Sequence, residues 1–122
     1  MKIFLDRYSV CQGDDTEEHD EMRRFESQMF FGAVLKYILN SGFLPKMSGE
    51  RASWLVTADE RPVAVVATTP DRVLCALNPK TELKQIFTTS EAPWLRFCYK
   101  SNTPVAELFA HTFEGIEPQE WI

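Results

Sequence analysis

Six carboxylates surround a single histidine in the stretch CQGDDTEEHDEMRR, residues 11–24. The carboxylates belong to Asp14, Asp15, Glu17, Glu18, Asp20 and Glu21, and the histidine is His19. Carboxylate oxygens and imidazole nitrogens bind metal ions and transfer protons in catalysis. Carboxylates also stabilise the amino-terminal end of a helix, and a dense group of them attracts basic partners. The cluster therefore has three interpretations: a metal or catalytic site, the acidic front of a helix, or a recognition surface.

A metal site requires several ligands that converge on one point. Asp15, His19 and either Glu18 or Asp20 can supply part of such a set. The spacing matches neither an EF-hand loop nor the HExxH motif. We therefore expect no metal and no cofactor, and the helix-front and recognition interpretations stay open.

Other residues with chemical potential lie further along the chain. Cys98 and His111 are the minimum for a nucleophilic pair, but no local motif links them. The glycines form neither a GxGxxG motif nor a P-loop, and no GxSxG motif is present. We therefore expect no catalytic residues and a protein that is not an enzyme. Four arginines are candidates to meet at one end of a sheet and hold an anion, or else to form a solvated rim: Arg51, Arg61, Arg72 and Arg96.

Composition narrows the class of protein. The 122 residues, with 44% hydrophobic and 25% charged side chains, predict a single globular domain over 1–122. No apolar run approaches the roughly 20 residues that span a bilayer, so we expect no membrane association. Three cysteines without CxxC spacing indicate reduced thiols, which is typical of a cytoplasmic protein.

The net charge of −5 is unevenly distributed along the chain. Residues 1–22 carry seven acidic against two basic side chains, residues 101–122 carry four against none, and the middle is net basic. Phosphate contacts need a basic footprint, so we expect no direct nucleic-acid binding.

Hydrophobic periodicity predicts the elements that must position these residues. KIFLDRY alternates as a strand does, and residues 17–39 carry apolar side chains at threes and fours, which predicts one long helix. SWLVT, PVAVVAT and RVLCALN predict an antiparallel meander, and WLRFCYK predicts a further strand. Thr103 and Pro104 open a carboxy-terminal helix. The predicted fold is α+β with two layers: an antiparallel sheet of about five strands packed by one long helix and a carboxy-terminal helix.

The segment FEGIEPQEWI mixes aromatic and acidic side chains after the last predicted helix. Aromatic anchors rimmed by carboxylates are typical of a surface that binds a basic protein, and Glu117, Glu120 and Trp121 form such a set. Alternatively, Trp121 folds back and closes the core. We assign partner binding to a first patch and a second patch. The first patch is Asp14, Asp15, Glu17, Glu18 and Glu21; the second patch is Glu117, Glu120 and Trp121.

The acidic GDDTEEHDE and EGIEPQEW segments, the small size and the missing catalytic motifs resemble the small acidic immunity proteins that bacteria pair with toxins. This resemblance covers general character rather than a shared motif. It implies a non-catalytic inhibitor that neutralises a basic toxin or nuclease, with carboxylates in place of the phosphates that the toxin contacts. The alternatives are a small-ligand or regulatory α+β protein and a cysteine–histidine enzyme.

Overall fold

A computed structural model describes residues 1–8, 20–45, 53–68, 70–88 and 91–121 of the protein. These residues form seven strands and three helices. The strands are β1 (Lys2–Tyr8), β2 (Asp20–Arg24), β3 (Ser53–Ala58), β4 (Arg61–Thr68), β5 (Asp71–Cys75), β6 (Trp94–Lys100) and β7 (Gln119–Trp121). The helices are α1 (Phe31–Asn40), α2 (Leu83–Ile86) and α3 (Val105–Thr112).

All seven strands belong to one mixed sheet, in the order β2-β1-β6-β3-β4-β5-β7. Strand β1 pairs with β6 in parallel, and the other neighbouring strands pair in antiparallel fashion. The predicted meander is confirmed as β3-β4-β5, and β4 carries the continuous buried run from Val63 to Thr68. A strand buried on both faces explains why this run does not alternate.

The sheet has a hydrophobic core on each face. Helix α1 lies on one face, where its side chains pack with those of β1, β3 and β6 around Trp54 and Phe97. Helix α3 packs on the other face, against β3, β4 and β5. In β4, Ala64 and Val66 belong to the α1 core and Val65 belongs to the α3 core. Because successive side chains of a strand point to opposite faces, this one apolar run packs into the cores under both helices.

The prediction of a long helix over 17–39 is wrong. Residues 20–24 form β2, which pairs with β1 so that Phe4 lies opposite Met22, and α1 begins at Phe31. DEMRR contains a single apolar residue, Met22, so it has no alternating pattern to indicate a strand, and the apolar spacing after it favours a helix. The helix carries Phe31, Val34, Leu35, Ile38 and Leu39 as its buried face. It ends at Asn40, and Gly42 adopts a left-handed conformation at φ 82° just after it.

The prediction of a two-layer fold with an antiparallel sheet of about five strands is also wrong. The sheet has seven described strands, one pairing is parallel, and the helices lie on opposite faces. Strands β2 and β7, which lie at the two edges, are the ones that were not predicted. Both are short, and a short strand is held by its neighbours more than by its own sequence.

A two-residue hairpin turn connects β3 to β4 and forms hydrogen bonds with the first residue of β6. Asp59 and Glu60 adopt left-handed conformations at φ 48° and 74°, which is the pattern of a type I′ turn. The Asp59 carboxylate accepts a hydrogen bond from the amide of Trp94 at 3.1 Å, and the Asp59 amide donates to the Trp94 carbonyl at 3.1 Å. The turn therefore fixes the start of β6.

Strand β7 returns the end of the described chain to α1. Trp121 pairs with Val73 of β5, and its indole lies directly on Gly32 of α1. A Cβ atom at Gly32 would lie 2.6 Å from the indole ring, which is closer than real Cβ contacts allow. Glycine is therefore required at this position for the helix and the indole to meet.

We predict that Gly32→Ala destabilises the protein by about 1 to 3 kcal/mol, although alanine is the better helix former. The clash with Trp121 outweighs the gain in helix propensity. In a Trp121→Ala background the same substitution should be neutral or stabilising, by up to about 1 kcal/mol. Urea unfolding of the four proteins in this double-mutant cycle measures both effects. An equal cost of Gly32→Ala in the two backgrounds would contradict the contact.

Candidate functional site

Strands β2, β1 and β6 present a face that is turned away from the α1 core. Ile3, Leu5, Leu95 and Phe97 point into that core, so the alternate side chains of β1 and β6 lie on the opposite side of the sheet. We call this side the open face. Its described side chains are Lys2, Phe4, Asp6, Met22, Arg24, Trp94, Arg96, Cys98 and Lys100.

An apolar row crosses the centre of the open face. Met22, Phe4 and Trp94 are cross-strand neighbours, because the register pairs Phe4 with Met22 on one side and with Trp94 on the other. Phe4 is 40% exposed and Met22 is 46% exposed, whereas Trp94 is half-buried. Helix α3 packs on β3, β4 and β5, further along the sheet. The row thus leaves large apolar side chains in contact with solvent.

A charged pair lies beside this row and orients one of its rings. The Arg96 guanidinium lies over the Trp94 ring, 4.1 Å from its centroid, and its Nε donates to the Asp6 carboxylate at 3.1 Å. Register pairs Asp6 directly with Arg96 across the parallel strands. The guanidinium is therefore held by a carboxylate and by an aromatic face, and it fixes the position of Trp94.

The remaining charges form a rim around the apolar row. Lys2 of β1 lies opposite Arg24 of β2 at one end of these strands, and Lys100 of β6 lies near the other end. All three are exposed. An apolar centre with a polar, charged rim is the anatomy of a protein–protein interface.

The structure describes Glu21 of the first patch. Glu21 lies opposite Leu5 in the register, so it projects to the α1 side rather than onto the open face. Both its carboxylate oxygens accept hydrogen bonds from Arg23 at 2.9 Å. Asp14, Asp15, Glu17 and Glu18 lie outside the described residues, as does His19.

The second patch lies at the far edge of the sheet, on and before β7. Glu117 is exposed, and Glu120 accepts two hydrogen bonds from Arg72 at 3.0 and 3.1 Å, which lowers the pKa of Glu120. Trp121 is half-buried against Gly32 and stacks edge-on with Phe30 at 6.3 Å. Strands β2 and β7 are six strand spacings apart, or about 30 Å. Glu21, the described residue of the first patch, is therefore far from the second patch.

Among the arginines that the structure describes, the candidate convergence at one sheet end does not occur. Arg72 of β5 forms an ion pair with Glu120 of β7, and Arg96 lies on the open face. Arg61 is the first residue of β4, whereas Arg72 lies opposite Ala67 near the other end of that strand. Arg51 lies outside the described residues. The arginines serve separate surfaces.

The cysteines and histidines form no described catalytic pair. Cys98 lies half-buried on the open face, and His111 is exposed on α3, with no hydrogen bond between them. Cys75 is buried in the α1 core. Within the described ranges no group of three or more His, Cys, Asp or Glu residues is placed to hold a metal ion. The acidic stretch 14–19 lies outside those ranges.

Sequence reasoning did not select Phe4, Met22 or Trp94 as site residues. The signal for Phe4 was present, because KIFLDRY alternates and Phe4 falls on the side opposite Ile3 and Leu5. No local signal shows which side of a strand stays uncovered, since that depends on where distant helices pack.

Comparison of the chain with protein-family models, with curated proteins and with solved structures found no match. Among the described helices, none combines the length and the apolar character needed to cross a membrane.

We predict a large difference in thiol reactivity between Cys75 and Cys98, tested in a Cys11→Ser background. Burial raises the pKa of the Cys75 thiol to about 12, so about one molecule in ten thousand carries the thiolate at pH 8. Burial also raises the pKa of Cys98, which is half-buried. With Cys98→Ala, the remaining Cys75 should react with Ellman's reagent only after denaturation; with Cys75→Ala, native Cys98 should react slowly. A native Cys75 that reacts as fast as the denatured chain would contradict its burial.

Proposed function

We propose that this protein is a non-catalytic binding module for a basic protein, of the immunity type that neutralises a toxin or nuclease. The observation that carries the proposal is the exposed row of Met22, Phe4 and Trp94 at the edge of the sheet where the acidic segment joins it. The immunity assignment itself rests on the resemblance in composition, and the binding role rests on the row and on the acidic segment that precedes β2 in the chain.

The acidic segment directly precedes β2 in the chain. Glu18 is two residues before Asp20, the first residue of β2, and Asp14 is six residues before it. The described rim of the row is basic, through Lys2, Arg24 and Lys100, so the carboxylates of this segment supply the negative charge that the proposal needs to steer a basic partner.

The first patch suits this role better than the second. Glu120 is already paired with Arg72, and Trp121 is engaged with Gly32, so binding through them would break contacts within the protein. Glu21 is paired with Arg23 on the other side of β2 and does not lie on the open face. The proposal therefore assigns steering to Asp14, Asp15, Glu17 and Glu18, and anchoring to the apolar row.

The test separates steering from anchoring once a basic partner has been identified by crosslinking in the native cell. We expect neutralisation of the four steering residues (Asp14→Asn, Asp15→Asn, Glu17→Gln, Glu18→Gln) to slow association about tenfold at low salt and to flatten its salt dependence. Phe4→Ala should leave association nearly unchanged and speed dissociation about thirtyfold, as expected for a buried anchor. Surface plasmon resonance at two salt concentrations measures both rates.

The matched control is Glu117→Gln with Glu120→Gln, which removes acidic charge at the opposite edge of the sheet. We expect neither rate to change by more than about twofold. Binding that responds to the control pair and not to the steering residues or Phe4 would refute the proposed surface. A partner that is acidic, or that keeps full activity in a saturated complex, would refute the proposed inhibition.

A further inference from the structure

A groove of about 380 Å³ opens at the end of the sheet where β4 begins. Its apolar lining includes Val63, Leu77, Ile86, Phe113 and Ile116. These side chains come from β4, from the segment after β5, from α2 and from the turn after α3. The groove lies on the β4–β5 half of the sheet, whereas the open face lies on β2, β1 and β6. It is therefore a separate feature of the surface.

The turn after α3 supplies one wall of the groove. Gly115 is left-handed at φ 78°, and the Ile116 amide donates to the Phe113 carbonyl at 3.1 Å. This turn holds Ile116 at the groove, where it is 47% exposed. A large aliphatic side chain held at a groove and left half in solvent offers apolar area for a ligand to bury.

The groove also has a cationic group with spare hydrogen-bonding capacity. The Arg61 Nη2 donates to the Ile86 carbonyl at 3.5 Å, which is a long and weak contact. Within the part of the chain that the structure describes, Arg61 forms no ion pair, whereas Arg23, Arg72 and Arg96 each pair with a carboxylate. A guanidinium has five N–H donors, so Arg61 retains donors for an anion. Thr81 adds a hydroxyl group to the lining.

We propose that this groove binds an amphiphilic monocarboxylate with a medium-length aliphatic chain. Arg61 receives the carboxylate in a two-pronged contact, supported by the Thr81 hydroxyl, and the chain lies against Ile86, Phe113 and Ile116. The groove volume falls within the range of small-molecule sites. One cation among apolar walls matches a single negative charge on an apolar body, and it does not match a polyphosphate, which needs several donors.

The test uses octanoate as the probe and octanamide as its uncharged match. We expect octanoate to bind the wild-type protein with a dissociation constant below about 1 mM, and octanamide to bind at least about tenfold more weakly, because it loses the charge-assisted contact. Heteronuclear NMR titration locates the site. The largest amide shifts are expected at Ala76, Thr81 and Ile116, with none at Phe4 or Met22.

Three variants divide the proposed interaction into its parts. Arg61→Gln should reduce octanoate affinity to that of octanamide and leave octanamide binding unchanged. Ile116→Ser should weaken both ligands about threefold to tenfold. Arg24→Gln removes the same charge from the open face and should change neither affinity. Arg61, Ile116 and Arg24 are exposed, so thermal unfolding should show that each variant stays folded.

Several results would overturn the proposal. If octanoate and octanamide bound equally well, Arg61 would not recognise the carboxylate. This comparison needs no variant. Absence of binding up to 5 mM, the highest probe concentration to be used (about five times the expected limit), would remove the site. Shifts confined to the open face would place the ligand elsewhere. Since the readout is the free protein with a small molecule, it does not depend on whether a protein partner exists.

Discussion

The parallel pairing of β1 with β6 holds the sheet together. It is the contact through which the first hairpin, β1 and β2, joins the other five strands. Residues 9–93 separate the paired strands, which is the longest connection between neighbouring strands in the sheet. Forming this pairing therefore costs the most loop-closure entropy. The pairing is secured by the Phe4 amide on the Pro93 carbonyl at 2.9 Å and by Asp6 with Arg96. The open face exists only because of it, since Phe4 and Trp94 meet across this boundary.

The limited extent of α3 explains why apolar side chains stay exposed on its side of the sheet. Helix α3 is eight residues long and covers β3, β4 and β5 on its side of the sheet. Strands β6, β1 and β2, which continue the sheet beyond β3, carry a mixture of apolar and charged side chains on that side instead of a continuous apolar run. This composition keeps the face compatible with water while leaving Phe4 and Met22 available for contact.

Local signals in the sequence predicted five of the seven described strands and helix α3. The β3-β4-β5 meander follows from three apolar runs with short polar connections, β1 from its alternation, and α3 from Pro104 near its start. The rest depends on contacts between residues far apart in the chain. Strand β2 needs β1 beside it, β7 needs β5 and Gly32, and the exposure of Phe4 and Met22 depends on where α3 packs. For Trp121, sequence alone left an anchor and a core contact as alternatives, and the structure places the indole on Gly32.

Because the helices cover only part of the sheet, its strands differ in how often their hydrogen bonds break and re-form. Strand β4 is hydrogen-bonded on both sides and has packed side chains on both faces, so its amides exchange with deuterated solvent only when most of the molecule opens. Among the described strands, β2 pairs only with β1 and lies at an edge, so its pairing is expected to open in local fluctuations that leave β4 intact. Such breathing of β2 would transiently free the outer hydrogen-bonding groups of β1. The amides of β2 are therefore expected to exchange well before those of β4.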